Sequence, residues 1–208
     1  IAVDMVKEKL ITRKEAVCRV SGDQLDEWLH DILDPAVEKK TRAVAKGLPA
    51  GPGGAQGKIV FTSEEAERVA KLDANDNVQG EPVILVREET NPEDVKGMWA
   101  SEAILTQRGG MTSHAALVAR GWGKCCIVGC AELDIDVKRK KLKIGKRTFR
   151  SGDSLSLNGS TGNVYAGEFP TIPPDTDGKT LSTFLKMCDK VRTLKVRTNA
   201  ETPADAAL

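Results

Sequence analysis

The sequence predicts an α/β fold: one compact domain with a mixed sheet and helices on one side, flanked by helical connecting segments. Between residues 58 and 128, short apolar runs that suit buried strands alternate with helix-start signals. From Leu133 to Tyr165 apolar and polar residues alternate around strong turn signals, which indicates a β section. The length of 208 residues is enough for one generous domain with additional pieces on either side.

Residues 1–47 are predicted to form a helical lead-in and a linker. Thr12 is a plausible N-cap for the second helical segment. A third segment shows apolar residues at helical spacing, namely Leu25, Trp28, Leu29, Ile32 and Leu33. This stripe predicts an amphipathic helix that ends at Asp34-Pro35. His30 lies beside the stripe and is interpreted as an ordinary surface residue of that helix.

Residues 48–169 are predicted to form the compact core. The glycine- and proline-rich run at 47–57 is interpreted as the loop that leads into it. Strands are expected at 58–62, 82–87, 103–106 and 125–128, with helices that begin near Ser63, Asn91 and Ser113. The remaining residues, 170–208, are predicted to hold a second linker, a helix from about Leu181 and the start of a further strand at Lys195.

Composition excludes several classes of protein. The chain carries 31 Lys and Arg against 30 Asp and Glu, which argues against a dedicated nucleic-acid binder. No signal peptide and no run of about 18 apolar residues is visible, so no membrane segment is expected. The five cysteines have no regular spacing, so we predict no disulfide framework. We expect a soluble protein of a reducing compartment, cut from something longer.

One segment carries the chemistry: a predicted strand, a double-glycine turn and a helix start. Gly109 and Gly110 permit backbone geometry in which amide groups converge on an anion. Thr112 or Ser113 would cap the helix, which places His114 in its first turn. The positive end of the helix dipole favours a neutral, nucleophilic imidazole and stabilises a phosphoryl group attached to it.

Plainer interpretations stand beside this one. His114 could be a histidine at a capped helix start with a satisfied hydrogen bond, and Arg108, a candidate for phosphate neutralisation, could be a solvated surface charge. Cys125, Cys126 and Cys130 lack the spacing of a zinc pair, so we interpret them as buried small apolar residues and predict no metal site.

The segment from Arg108 to Cys126 resembles the phosphohistidine domain of the pyruvate, phosphate dikinase family. Residues 48–57 and 155–162 are similar to the same family, with Gly54 standing where Ala is expected. The resemblance runs the full length. Residues 1–35 are similar to the tail of an ATP-binding part, and residues 195–208 to the start of a barrel that binds phosphoenolpyruvate.

The resemblance implies a swivelling β/β/α domain in which His114 is the catalytic residue. His114 would take a phosphoryl group derived from ATP and phosphate and pass it reversibly to pyruvate, which gives phosphoenolpyruvate. Arg108, Gly109, Gly110 and Ser113 would support the phosphate site. Hinges are expected near residues 34–48 and 169–180.

The family also implies partners and regulation. Mg²⁺ and the substrates would be bound by the ATP-binding and phosphoenolpyruvate/pyruvate-binding domains of the same polypeptide. In plant enzymes of the family, the threonine at the position of Thr112 is a regulatory phosphorylation site, which would involve a kinase and a phosphatase. The cytoplasm and an organelle such as the chloroplast or glycosome both fit. No nucleic-acid or membrane partner is implied.

Two alternatives to the dikinase remain. The Gly-Gly-x-Thr-x-His core is shared with phosphoenolpyruvate synthase and with enzyme I of the phosphotransferase system. In a different class, the glycine turn could belong to a non-catalytic module that only binds an anion.

Overall fold

A computed structural model of the chain describes residues 1–73, 75, 77–174 and 178–194, apart from the side chains of residues 23, 26 and 27. The strand predicted to begin at Lys195 lies outside these residues. The helices are α1 (Ala2–Lys7), α2 (Arg13–Cys18), α3 (Gly22–Glu27), α4 (Pro35–Glu38), α5 (Ser63–Ala70), α6 (Val95–Ala100), α7 (His114–Gly121) and α8 (Lys179–Val191). A single 3₁₀ turn at Pro92–Asp94 precedes α6.

The strands of the described residues fall into three sheets. They are β1 (Ile32–Leu33), β2 (Ala45–Lys46), β3 (Leu48–Gly51), β4 (Gly54–Val60), β5 (Val83–Arg87), β6 (Ala103–Thr106), β7 (Cys125–Val128), β8 (Leu133–Asp136), β9 (Lys141–Ile144), β10 (Arg147–Arg150), β11 (Ser154–Asn158), β12 (Asn163–Ala166) and β13 (Thr171–Ile172). The chain divides into two compact units, residues 1–25 with 175–208, and residues 26–174.

The first unit is helical. α1, α2 and α8 bury a small apolar cluster around Val3, Phe184 and Met187. Thr12 caps α2 as the sequence predicts: its hydroxyl accepts from the Glu15 amide, and the Glu15 carboxylate accepts from the Thr12 amide at 2.7 Å. This reciprocal arrangement satisfies two amides that a helix start leaves without partners.

The second unit is built on an eight-stranded mixed sheet in the order β2-β12-β11-β4-β5-β6-β7-β3. The strands β4, β5, β6 and β7 run parallel. Both faces of this parallel section are covered, which explains why residues 83–86 and 103–106 are all buried. Apolar residues of α5, α6 and α7 pack on one face, and those of the β8–β10 meander pack on the other. The predicted mixed α/β sheet with helices on one side is confirmed.

The second unit begins earlier than the predicted core, which was placed at 48–169. The third helix ends at Glu27 and not at Asp34, because Ile32 and Leu33 form β1 and pair with β13. Leu33 is buried, and the Asp34 amide donates to the carbonyl of Pro170 at 2.9 Å. Helical spacing is present in the sequence, but pairing with a distant strand decides the structure.

Residues 34–48, predicted to contain a hinge, are tied to the sheet. Glu38 accepts hydrogen bonds from the Asn158 amide at 2.7 Å and the Tyr165 hydroxyl at 2.8 Å. The Val44 amide donates to the carbonyl of Val164 at 2.8 Å. These bonds hold the segment against the β11–β12 hairpin.

The glycine-rich run at 47–57, predicted as a loop, instead contributes β3 and most of β4. Its glycines lie where backbones approach closely: a Cβ at Gly57 would come within 2.7 Å of the Pro82 carbonyl oxygen. Small residues therefore permit the pairing of β4 with its neighbours. Among the described residues, no helix is long and apolar enough to cross a membrane.

Candidate phosphoryl-transfer site

His114 is the first residue of α7, which follows β6 through the turn at residues 107–113. Of the two predicted caps, Ser113 is the one observed: its Oγ accepts from the Ala116 amide at 3.4 Å. Ala115, Ala116 and Ala119 are buried against the sheet. These small side chains let α7 lie close to the strands, so the imidazole stands at the carboxyl end of the parallel section, where α/β proteins place their ligand sites.

Of the two glycines in the turn, Gly109 is the one that another residue could not replace without strain. Gly109 has a φ of +104°, and a Cβ there would lie 3.0 Å from both Cβ and Oγ of Ser113. A Cβ at Gly110 would meet nothing within 4 Å. Gly110 contributes through its backbone, because its carbonyl accepts from the Ser113 amide at 3.0 Å. Gly109 thus sets the turn that presents the helix start.

Thr90 is the residue that sequence reasoning missed. Its hydroxyl oxygen lies 3.0 Å from Nδ1 of His114, across 24 residues of chain. Thr90 is only 8% exposed and His114 is half-buried. Its place just after the buried apolar strand β5 was the available signal, since residues after parallel strands gather at one edge of the sheet.

The Thr90 contact gives the two ring nitrogens different roles. When Nδ1 carries the proton and donates it to Thr90 Oγ1, Nε2 keeps its lone pair. In that tautomer the Thr90 hydroxyl oxygen accepts the hydrogen bond from the ring. In the same tautomer, Nε2 is the ring nitrogen available to act as a nucleophile.

The structure does not bring Arg108 to the imidazole. Its guanidinium is 64% exposed and lies 4.0 Å from the carboxylate of Glu88. An exposed pair at this distance is worth less than about 1 kcal/mol, so the guanidinium is free to exchange partners. The backbone of Arg108 has the firmer role, because its carbonyl accepts from the Thr106 hydroxyl at 2.6 Å.

Thr112 is exposed and lies two residues before His114. The loop around it is held by Arg120, a second residue that the sequence did not indicate. The Arg120 guanidinium donates to the carbonyls of Met111 and Ala50, each at 3.4 Å. The last turn of α7 therefore supports the loop before its first turn.

The cysteines are placed as predicted for apolar core residues. Cys125, Cys126 and Cys130 are buried. Burial raises the pKa of the Cys125 thiol to about 12 and that of Cys130 to about 11. Thiols of this kind are poor nucleophiles and metal ligands. Within the described residues, no group of three or more His, Cys, Asp or Glu side chains could hold a metal ion.

His30 does not lie on a helix, contrary to the sequence prediction. It follows the end of α3 and lies beside Gly53, where an added Cβ would come 3.1 Å from the His30 Cβ. His30 and Lys124 line an open polar cavity of about 230 Å³. His114 is not among the lining residues of that cavity.

The comparisons with known proteins agree with this geometry. Residues 79–162 match the family profile described as "PEP-utilising enzyme, mobile domain". These residues contain both Thr90 and His114.

Nearly the whole chain is also similar to pyruvate, phosphate dikinases. It is 51% identical over 206 residues to pyruvate, phosphate dikinase 2 of Zea mays, which covers 99% of this chain and 22% of the relative. It is 48% identical over 205 residues to the dikinase of Clostridium symbiosum, with the same two coverages. The chain therefore spans about a fifth of these relatives and corresponds to the section with the mobile domain. Among solved structures, aconitase X of Thermococcus kodakaraensis aligns with 60% of this chain and 98% of its own, at 16% identity and a TM-score of 0.36.

Proposed function

We propose that this chain is the phosphoryl-carrying section of a pyruvate, phosphate dikinase, and that His114 is the carrier. The main support is the imidazole at the start of α7 with its Nδ1 held 3.0 Å from the Thr90 hydroxyl. That imidazole lies in a chain about half identical to dikinases along almost its full length. A neutral nitrogen nucleophile splits one difficult transfer into two easier ones.

In the first half-reaction, Nε2 of His114 attacks the β-phosphorus of ATP, and AMP leaves with the electron pair of the broken P–O bond. Inorganic phosphate then attacks the terminal phosphorus of the attached diphosphoryl group and leaves as diphosphate, so one phosphoryl group stays on Nε2. In the second, the enolate oxygen of pyruvate attacks the phosphorus, and the N–P electron pair returns to Nε2. ATP, phosphate and pyruvate are thereby converted reversibly to AMP, diphosphate and phosphoenolpyruvate. The amide end of α7 stabilises the charge on the attached phosphoryl group.

The substrate sites and Mg²⁺ are assigned to other parts of the polypeptide. Phosphoryl transfer depends mainly on positioning and on neutralising charge. The chain supplies the carrier nitrogen, its tautomer and the helix start, and Arg108 would steer the phosphoryl group by leaving Glu88. The ATP-binding and pyruvate-binding domains would supply the remaining cations.

The carrier must visit both substrate sites, so the domain swivels. The bonds that tie residues 34–48 to the sheet favour a first hinge near residue 26, where the compact unit begins, and the second expected hinge at 169–180 contains the other end of the unit at 174. Disulfides engineered across both connections of the full-length enzyme should abolish overall turnover and leave one half-reaction intact. Unchanged overall turnover would contradict the swivel.

The carrier role is tested by labelling. The full-length enzyme is incubated with phosphoenolpyruvate, and intact mass and acid lability are measured. We expect one phosphoryl group per chain, lost in acid. His114→Asn should remove it, whereas His30→Asn, which alters the other histidine of this chain, should keep it. Labelling that survives His114→Asn would assign the carrier to another residue.

The same assay separates the dikinase from its alternatives. Phosphoenolpyruvate synthase and enzyme I of the phosphotransferase system share the histidine chemistry but do not require inorganic phosphate together with ATP. Phosphate-dependent labelling from ATP therefore supports the dikinase. A module that only binds an anion would show no covalent label from any donor.

We further propose that Thr112 is a regulatory phosphorylation site. A phosphate there would place about −2 charge two residues from His114 and repel an incoming phosphoryl donor. Thr112→Asp should slow the labelling of His114, whereas Thr112→Val should leave it near the wild-type rate. Undiminished labelling of the Asp variant would count against the proposal.

A further inference from the structure

The segment that holds Thr90 is closed by an ion pair. It runs from Arg87, at the end of β5, to Asp94, just before α6. The Arg87 guanidinium lies 3.3 Å from Oδ2 of Asp94, and their side chains are 22% and 7% exposed. The same Asp94 oxygen accepts from the Asn91 amide at 2.9 Å. Oδ2 of Asp94 therefore contacts both Arg87, at the other end of the segment, and the backbone of Asn91 in its middle.

Arg87 also connects this segment to the sheet. Its guanidinium donates to the carbonyl of Phe61, at the end of β4, at 3.1 Å. Its own carbonyl accepts from the Gln107 amide, in the turn that leads to His114, at 3.0 Å. The ion pair is thus anchored to the strands on both sides of β5.

The side chain of Arg87 depends on this ion pair. Nε of Arg87 is buried and has no hydrogen-bond partner among the described residues. Asp94 makes the close ionic contact with the guanidinium, at 3.3 Å, while Glu64 interacts with it electrostatically without such a contact. Removing one partner of a buried ion pair leaves a charge without compensation, and the structure relaxes around it. The segment between the two residues then loses its closure.

We propose that Arg87 and Asp94 are positioning residues that set the tautomer and orientation of the His114 ring through Thr90. Thr90 lies inside the closed segment, and its hydroxyl reaches Nδ1 at 3.0 Å. A shift of about 1 Å takes this contact beyond hydrogen-bond distance. The proton on Nδ1 then loses its acceptor, and Nε2 is no longer selected as the free nitrogen.

The kinetic consequence rests on the proposed function, because ring orientation affects a rate only if His114 is the carrier. The tautomer does not depend on that function and can be measured separately. A pair that served stability alone would lower the free energy of unfolding without changing the ring nitrogens of the folded protein.

The test uses the 208-residue chain with ¹⁵N-labelled histidine, at a pH where the rings are neutral. Long-range ¹H–¹⁵N correlation spectra report which nitrogen of His114 carries the proton, and His30 serves as the internal reference. We expect Nδ1 to carry it in the wild type. Asp94→Asn and Thr90→Val should both shift His114 towards the Nε2-protonated form, and Thr90→Ser should restore the wild-type spectrum.

Glu38→Gln is the matched control, because it weakens a carboxylate network that contacts the β11–β12 hairpin and not the Thr90 segment. It should leave the His114 spectrum unchanged. If Asp94→Asn does not fold, Arg87→Lys, which keeps the charge but not the two-sided contact, takes its place. A folded variant of either residue with wild-type His114 nitrogens would overturn the proposal.

In the full-length enzyme, Asp94→Asn should slow phosphorylation of His114 by up to about tenfold in both directions, with substrate KM values unchanged. If Asp94→Asn shifts the tautomer but His114 is never phosphorylated even in the wild type, then Arg87 and Asp94 keep their positioning role and His114 is not the carrier. Labelling at the wild-type rate in Asp94→Asn would reject the positioning role alone.

Discussion

At the scale of single residues, the proposed chemistry depends on an asymmetry between the two nitrogens of one imidazole. Thr90 contacts Nδ1 of His114, the first residue of α7, and does not contact Nε2. A hydroxyl suits this position because it accepts from the ring without adding a charge that would repel a phosphoryl group. The contact is side chain to side chain and comes from a different loop, so its loss is testable without altering the helix.

Thr90→Val, nearly isosteric, removes the hydroxyl that holds Nδ1. Because one hydrogen bond in a partly buried site is worth about 1–1.5 kcal/mol, labelling of His114 should slow about tenfold. Rapid-quench measurement of phosphohistidine formation checks this. Thr90→Ser keeps the hydroxyl and should stay within about threefold of wild type. Equal rates for the Val variant and the wild type would show that the contact does not matter.

At the scale of elements, the turn before α7 and the start of α5 each depend on a specific local feature. The turn needs Gly109 at a positive φ beside the capping Ser113. The start of α5 places Glu65, 7% exposed, under the β8–β10 meander. The first feature shapes the candidate site, and the second joins two layers of the unit.

Gly109→Ala should destabilise the protein by about 1–3 kcal/mol, because φ is +104° and the new Cβ would press on Ser113. Gly110→Ala is the matched control, since a Cβ there meets nothing within 4 Å. Urea unfolding of both variants measures the difference. Equal stabilities would mean that the turn adapts to a side chain.

Glu65 should make stability depend on pH. Burial favours the neutral acid, but hydrogen bonds from Lys140, Ser151 and the Phe61 amide together hold its pKa below the ordinary value of 4.5. The contribution of the ionised Glu65 to the free energy of unfolding is therefore complete above about pH 4.5. It is lost as the pH falls through the lower pKa that Glu65 has in the folded state.

Glu65→Gln should accordingly lower the free energy of unfolding by about 1–3 kcal/mol at pH 7, and by less as the pH falls below about 4. Urea unfolding at a series of pH values measures the gap between the variant and the wild type. Glu89→Gln, an exposed carboxylate, should show no such gap. A gap that stays constant down to pH 3 would assign the effect of Glu65 to packing.

At the scale of the whole molecule, the compact unit extends beyond the predicted core at both ends. Its contact-defined limits are residues 26 and 174. The flanks beyond the predicted 48–169 core supply β1, β2 and β13, together with the buried side chain of Leu33. Without β1 and β13, Tyr165 and Phe169 would lose the apolar cluster that they share with Leu33.

Two fragments test these limits. Residues 26–174 should fold alone and unfold cooperatively, because the sheet and both of its covering layers are complete. Residues 48–169 lack Leu33 and the hydrogen bonds of Glu38, and should be less stable by several kcal/mol. Urea unfolding compares the two. Equal stabilities would show that residues 26–47 are a dispensable linker.

Several elements and the core of the site were predictable because their signals are local. The apolar runs at 83–86 and 103–106, the glycine turn and the cap at Ser113 each lie within a few residues of the structure that they specify. His114 was found in the same way, from its immediate neighbours. The similarity to dikinases then added the reaction, which no local pattern contains.

The sequence by itself therefore determined the α/β class, the parallel strands and the one histidine at a helix start. The tertiary structure decided three further points. Ile32 and Leu33 form a strand because they pair with Ile172 and Thr171, against their helical spacing. Thr90 meets His114 because β5 and β6 end side by side, and Arg87 pairs with Asp94 across the segment that carries Thr90. Contacts across tens of residues depend on how strands pair, and no spacing along the chain encodes that.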